Sequence, residues 1–126
     1  VTKMGLQDTV FLMGTRADVG NFYKAAKIYT HAAPVEGFGM AYVEAMSFGV
    51  PVVTTDAIPG SREIFENGKY GIIVDNHDVH QMADAIVNLY NDDLLYNSLS
   101  EKGKKRCEKF NQKLIEKQLI DYLNNL

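Results

Sequence analysis

The chain has 126 residues, enough for one domain and too few for two, and its 46% hydrophobic and 23% charged residues exclude a disordered polymer. Its net charge of −3 is uneven, with seven Lys/Arg against four Asp/Glu in residues 101–126 and six against twelve before them. An acidic body with a basic end does not gather cations on one face, which argues against nucleic acid as a partner. The basic end could touch an anionic membrane surface, but reads better as a solvated helix face. A single cysteine, Cys107, excludes an internal disulfide framework and points to a reducing, cytoplasmic setting. No apolar run approaches the roughly 20 residues that span a bilayer. The first residues lack the charged stretch and apolar core of a secretory signal.

In chain order, Thr9 to Met13 is an apolar run closed by Gly14 and predicts a buried strand. Asp18 to Lys27 predicts a helix with Asp18 as N-cap. Ile28 to Ala32 predicts a second strand, and Glu36-Gly37-Phe38-Gly39 a loop feeding a helix from Met40 to Phe48 that Gly49 ends. Pro51 to Thr55 is a third strand, Ile58-Pro59-Gly60 a turn, Ser61 to Glu66 a short helix and Gly71 to Val74 a fourth strand. Asp78 and Gln81 have capping-box spacing ahead of a helix striped by Val79, Met82, Ala83, Ile86 and Tyr90. Two helices follow, Asp93 to Phe110 and Gln112 to Asn124, the second striped by Ile115, Leu119, Tyr122, Leu123 and Leu126. Strands alternating with helices through short loops predict an α/β fold, a Rossmann-like parallel sheet flanked by helices. Ligands of such folds sit at the carboxyl ends of the strands, so the loops after Met13, Ala32, Thr55 and Val74 carry the chemistry.

Glu36 and Glu44 are separated by seven residues around a Gly-x-Gly turn that opens a helix. Backbone amides left uncovered at a helix N-terminus favour an anion, with phosphate the expected guest. Carboxylates repel phosphate, so the glutamates must hold something neutral attached to it. Eight positions of helical rise separate their backbones by up to about 12 Å. That exceeds the roughly 5–9.5 Å of a glycosidase acid/base pair, and suits hydroxyls on either side of a diphosphate. Two plainer readings stand beside this one. The glutamates could be ordinary surface charges, or Gly37-x-Gly39 with Asp56 could be a dinucleotide fingerprint, although Tyr42 occupies its third glycine position.

The ordered series Glu36-Gly37-Phe38-Gly39, Glu44-Ala45-Met46, Gly49-x-Pro51-Val52-Val53, Pro59-Gly60-x-x-Glu63 and Asn67-Gly68-x-x-Gly71 resembles a known family. It is similar, from Leu6 to Phe110, to the donor-binding half of the retaining nucleotide-sugar glycosyltransferases of GT-B fold, the glycosyl transferases group 1 family. The resemblance implies transfer of a sugar from a nucleotide diphosphate sugar to a glycan, lipid or other acceptor, with retained stereochemistry and no divalent metal or other cofactor. Glu36 would lie beside the reacting sugar as the catalytic glutamate. The amides of Gly37, Phe38, Gly39 and Met40 would meet the donor's sugar and diphosphate, and Glu44 the ribose hydroxyls. Gly14 and Thr15 would lie beside the nucleobase. Ala32-Ala33 stand where the family usually has Pro-Ser, which removes a serine hydroxyl from the expected contacts. The family pattern also places strands, a basic pair and the acceptor domain ahead of Val1, so residues 1–126 correspond to the later part of one domain. From this follow three expectations: no turnover by the chain alone, acceptor contact through the other domain, and an exposed sheet edge that favours self-association. A non-catalytic binding or assembly module of the same fold is the rival, and it has no physical reason to keep both glutamates.

Four other features have competing readings. Arg62 could approach phosphate or pair with Glu66 four residues on, the pairing being favoured. Asp75, His77, Asp78 and His80 form a paper metal cluster that helix capping explains more simply. His31 could donate to a sugar or phosphate, or end its strand satisfied by backbone. Cys107 reads as packed rather than nucleophilic.

Overall fold

The computed structural model describes residues 1–125. In chain order the elements are α1 (Val19–Ala25), β1 (Tyr29–His31), β2 (Val35–Glu36), α2 (Met40–Ser47), β3 (Val52–Thr55), β4 (Ile58–Pro59), α3 (Gly60–Phe65), β5 (Ile72–Val74), α4 (Val79–Asn91), α5 (Asp93–Cys107) and α6 (Gln112–Leu123). The main sheet is parallel with order β1-β3-β5, and β2 pairs in parallel with β4. The α/β architecture expected from the alternation is therefore present.

Every residue of β3 is buried, as a central parallel strand requires. Its successive side chains face opposite ways. Val52 joins a core with Tyr23, Tyr42, Ala45, Met46, Ile64 and Phe65, whereas Val53 joins Val74, Leu89 and Leu99. The two buried threonines of β3 are satisfied by carbonyls at and just beyond the end of β1, Thr54 Oγ1 donating to His31 O (3.0 Å) and Thr55 Oγ1 to Ala33 O (2.6 Å). Helix α2 ends in a Schellman motif, with Gly49 N–H on Met46 O and Val50 N–H on Ala45 O. Gly103 of α5 lies against Met46, so a methyl group there would crowd the α2–α5 contact.

Several expectations are corrected. Thr9 to Met13 forms no strand: residues 5–18 are irregular, and Phe11 and Leu12 are 70% and 86% exposed. No strand among the described residues pairs with this segment, and Val10 N–H returns locally to Leu6 O, so its apolar run has no ladder to join. Asp18 stands at the N-cap position of α1 without capping it, because Arg16 grips both of its carboxylate oxygens (2.8 and 2.9 Å). Ile58-Pro59 is more than a turn, since it forms β4 against Val35-Glu36. The core stripe of α4 runs through Met82, Ala85, Ile86 and Leu89, and Val79, Ala83 and Tyr90 are exposed. Asp78 caps α4 by accepting from Gln81 N–H (2.8 Å), but Gln81 Oε1 turns to Asp75 N–H instead of completing the box. Helix α5 stops at Cys107 and passes into a 3₁₀ turn over Glu108–Phe110. The α6 stripe is exposed at Ile115, Leu119, Tyr122 and Leu123, and Leu126 lies outside the described residues. No helix among the described residues is long and apolar enough to cross a membrane.

Candidate functional site

The loop from Glu36 to Gly39 is clamped from two sides. Gly39, the residue before α2, has φ +91°, and a Cβ built there would fall 2.3 Å from the Tyr42 ring. Only glycine combines that backbone with that contact. Gly60 presses from the other side: its Cβ would fall 2.6 Å from Phe38 O and 2.9 Å from Glu36 O. At Gly37, by contrast, a Cβ meets nothing within 4 Å. The Phe38 ring turns inward to an edge-to-face contact with Phe110 (5.5 Å), leaving its backbone as the part available to a ligand.

Tyr42, which speaks against a dinucleotide fingerprint in the sequence, is a central core residue. Its ring is fully buried, packs on Phe65 and His31, and sets its hydroxyl 3.0 Å from Thr54 Oγ1. Asp56, the acidic residue that fingerprint needs for ribose, is already taken. Arg62 holds it with two bonds (2.9 and 2.6 Å), which also keep its carboxyl below the usual range. The favoured Arg62–Glu66 pair is thus corrected. Helix α3 ends at Phe65 and Glu66 adopts a left-handed φ of 45°, which carries its carboxylate to Arg106 Nη1 (2.7 Å).

No side chain caps α2, and its first turn holds no acidic residue. Its N-terminus therefore presents unneutralised amides at Gly39–Met40, in a field that attracts an anion. Glu36 ends β2 three positions before Gly39, and Glu44 stands on α2 itself. Each carboxylate has a partner that sequence reasoning did not assign. Tyr23 Oη, from α1, donates to Glu44 Oε2 (3.2 Å). His31 Nε2, from β1, lies 3.5 Å from Glu36 Oε2. Gly14 and Thr15 lie in the exposed irregular segment before α1. Cys107 is half-buried, donates to Val43 O and has its thiol pushed up to about 11 by burial, so it is packed as expected. A separate cleft of about 280 Å³ opens at the carboxyl ends of the main strands, between Ala32, Ala33, Pro34, Thr55, His77 and Met82. The loops after β1, β3 and β5 thus enclose space where such folds take ligands.

Burial, with Glu44 second, raises the Tyr23 phenol to about 12. The fold favours its neutral form, so this group contributes stability that is complete below the ordinary value of 10.0 and is lost as pH climbs toward about 12. Thermal midpoints measured from pH 9 to 12 should fall less steeply for Tyr23→Phe than for the parent chain. Cys107 titrates in the same window in both, so parallel curves would count against the Tyr23 assignment.

The model of the family described as "Glycosyl transferases group 1" matches residues 1–106. The chain belongs to this family. Among its relatives, the chain is 31% identical over 107 residues to poly(glycerol-phosphate) alpha-glucosyltransferase of Bacillus subtilis, covering 85% of the chain and 16% of that protein. It is 33% identical over 116 residues to the capsular polysaccharide biosynthesis glycosyltransferase CapM of Staphylococcus aureus, covering 91% and 30%. The crystal structure of Anabaena Alr3699/HepE in complex with UDP superposes with a TM-score of 0.89 at 28% identity, covering 99% of the chain and 35% of that one. The same protein has been solved with UDP-glucose. The chain thus spans about a third or less of the relatives it matches. Its fold is part of a GT-B domain of this group 1 family.

Proposed function

We propose that the chain is the donor-binding portion of a retaining glycosyltransferase that moves a sugar from a nucleotide diphosphate sugar to a glycan, lipid or other acceptor. The observation that carries this reading is the uncapped N-terminus of α2, shaped by close glycine contacts at Gly39 and Gly60, with Glu36 ending the strand before it and Glu44 on the helix itself. The amides from Gly37 to Met40 meet the diphosphate, Glu36 meets the sugar, Glu44 meets the ribose, and Gly14 and Thr15 border the base. Catalysis is chiefly stabilisation of charge on the departing diphosphate, which a helix N-terminus provides from fixed dipoles. That supports transfer without a divalent metal, and nucleotide diphosphate binding that is unchanged by a chelator checks it. The paired-glutamate motif supports retention, and the UDP and UDP-glucose complexes of a structural relative support a nucleotide-sugar donor. A relative named for capsular polysaccharide biosynthesis supports a glycan acceptor, and we place the transfer in the cytoplasm at the inner face of the membrane as part of the same proposal.

An amide-resolved NMR titration with uridine, guanosine and adenosine diphosphates and NAD tests the reading. Shifts clustered on Gly37 to Glu44 for one diphosphate are expected. Glu44→Ala should weaken that diphosphate about tenfold or more, the loss of charge-assisted bonds to ribose, with the fold unchanged. An affinity equal to the parent's would remove Glu44 from the site. Preference for NAD would restore the dinucleotide reading.

A further inference from the structure

We infer that His31 is the positioning residue for Glu36, holding that carboxylate through an Nε2–H while Nδ1 accepts from Tyr29. The inference deepens the donor-site reading of Glu36 and rests on it for its functional part. Tyr29 and His31 are two apart on β1, so both side chains leave the same face of the strand. Their rings lie nearly parallel (18°, centroids 6.3 Å apart), and Tyr29 Oη is 3.4 Å from His31 Nδ1. Burial raises the Tyr29 phenol, so near neutrality it carries its proton. A phenol can donate to Nδ1 or accept from it, but the Glu36 carboxylate that Nε2 faces only accepts, which puts the imidazole proton on Nε2 and leaves Nδ1 to accept from Tyr29.

Nε2 is buried and has no hydrogen-bond partner among the described residues. The acceptor it faces is Glu36 Oε2 at 3.5 Å, ion-pair range and slightly long for an aligned bond. An orphaned buried N–H is costly, and a small shift of the Glu36 side chain relieves it. The ring has little freedom to turn elsewhere, since it stands edge-on to Tyr42 (5.2 Å) and its own carbonyl is held by Thr54 Oγ1. The titratable groups around it are Tyr29 on its own strand, Tyr42 on α2 and Glu36 on β2, while β3 offers the Thr54 hydroxyl. Glu36 is thereby constrained at both ends, its backbone paired with Pro59 in the β2–β4 ladder and its side chain facing His31 Nε2. One carboxylate oxygen is held and the other is left for a sugar hydroxyl. His31 thus touches Glu36 rather than the donor, unlike either role its sequence position suggested.

Two measurements on this chain decide it. Imidazole 15N–1H correlation spectra should show His31 as the Nε2–H tautomer, losing that bias in Tyr29→Phe and changing its Nε2–H resonance in Glu36→Gln. An Nδ1–H tautomer, or spectra indifferent to both substitutions, overturns the inference. In binding, His31→Leu should weaken UDP-glucose about tenfold and leave UDP within about twofold, and His31→Gln, which restores a donor, should recover most of the loss. Equal losses for both ligands, or no recovery in the Gln variant, also overturn it. If the parent chain binds UDP-glucose no better than UDP, the reading of Glu36 as a sugar contact fails, while the tautomer still decides the His31–Glu36 contact.

Discussion

Gly60→Ala should lose nucleotide diphosphate affinity by about tenfold or more while costing only about 1–3 kcal/mol of stability, the usual range for inserting a methyl group into a packed site. The new Cβ would fall 2.6 Å from Phe38 O, 2.9 Å from Phe38 C and 2.9 Å from Glu36 O. All three are backbone atoms, so no side chain can swing away and the loop itself must move. That loop carries Glu36 and the amides that open α2, and a displacement of several tenths of an ångström misaligns donors whose worth depends on aim. Gly37→Ala is the matched control, because a Cβ there meets nothing within 4 Å. Its stability should stay within about 0.5 kcal/mol of the parent's, whereas its diphosphate affinity should fall because the methyl group enters the ligand's own space. Calorimetric titration and thermal unfolding of both variants check the pair. Parent-like binding by Gly60→Ala would show that α3 does not hold the loop.

Arg106→Met should be the most destabilising conservative-volume change in the chain, by about 2–4 kcal/mol, or roughly 10 °C in Tm for a domain of this size. Arg106 is only 8% exposed on α5, yet its guanidinium makes bonds to Ile64 O (3.0 Å), Glu63 O (2.8 Å) and Glu66 Oε1 (2.7 Å). It also lies beside the rings of Tyr70 and Phe110 at about 5 Å. Two of those bonds satisfy carbonyls near the end of α3 that have no intrahelical partner, and a cation suits that end of the helix dipole. Methionine refills the volume and leaves the carbonyls buried without donors. Arg106→Lys should recover little, because one ammonium cannot span the same three acceptors. Urea titrations of the three proteins check this. A Met variant within about 1 kcal/mol of the parent, the typical single-substitution effect, would sink it.

Much of the fold was legible because its signals are local. The Val52-Val53 run reads as a buried strand from composition alone, Gly49 marks where α2 stops, and Asp78 announces α4. The glutamate spacing and the Gly-x-Gly turn are local signals too, and in the structure Glu36 ends β2, Gly39 immediately precedes α2 and Glu44 lies within that helix. What failed were inferences that need a partner. Thr9 to Met13 has the composition of a strand, but a strand is a pairwise object, and no neighbour pairs with it among the described residues. The Arg62–Glu66 pair assumed that the helix continued for one more turn, and the left-handed Glu66 breaks that assumption. Tyr23, His31 and Arg106 were opaque for a related reason. Tyr23 meets Glu44 across 21 positions and Arg106 meets Glu63 across 43. Periodicity reports which face of an element is apolar, and says nothing about which polar tip will meet which across the fold.

The burial of β3 on both faces has a consequence for how the molecule opens. Val52 and Val53 belong to different cores, and the strand is hydrogen-bonded to β1 on one side and β5 on the other. No partial opening can bring its amides to water without parting both cores. Their hydrogen exchange should therefore be the slowest in the chain and report the whole unfolding free energy. Helix α6, which contributes no buried side chain, should exchange by fraying alone. The interval between those two rates measures how tightly a strand of four residues ties the two halves of the core into one cooperative unit.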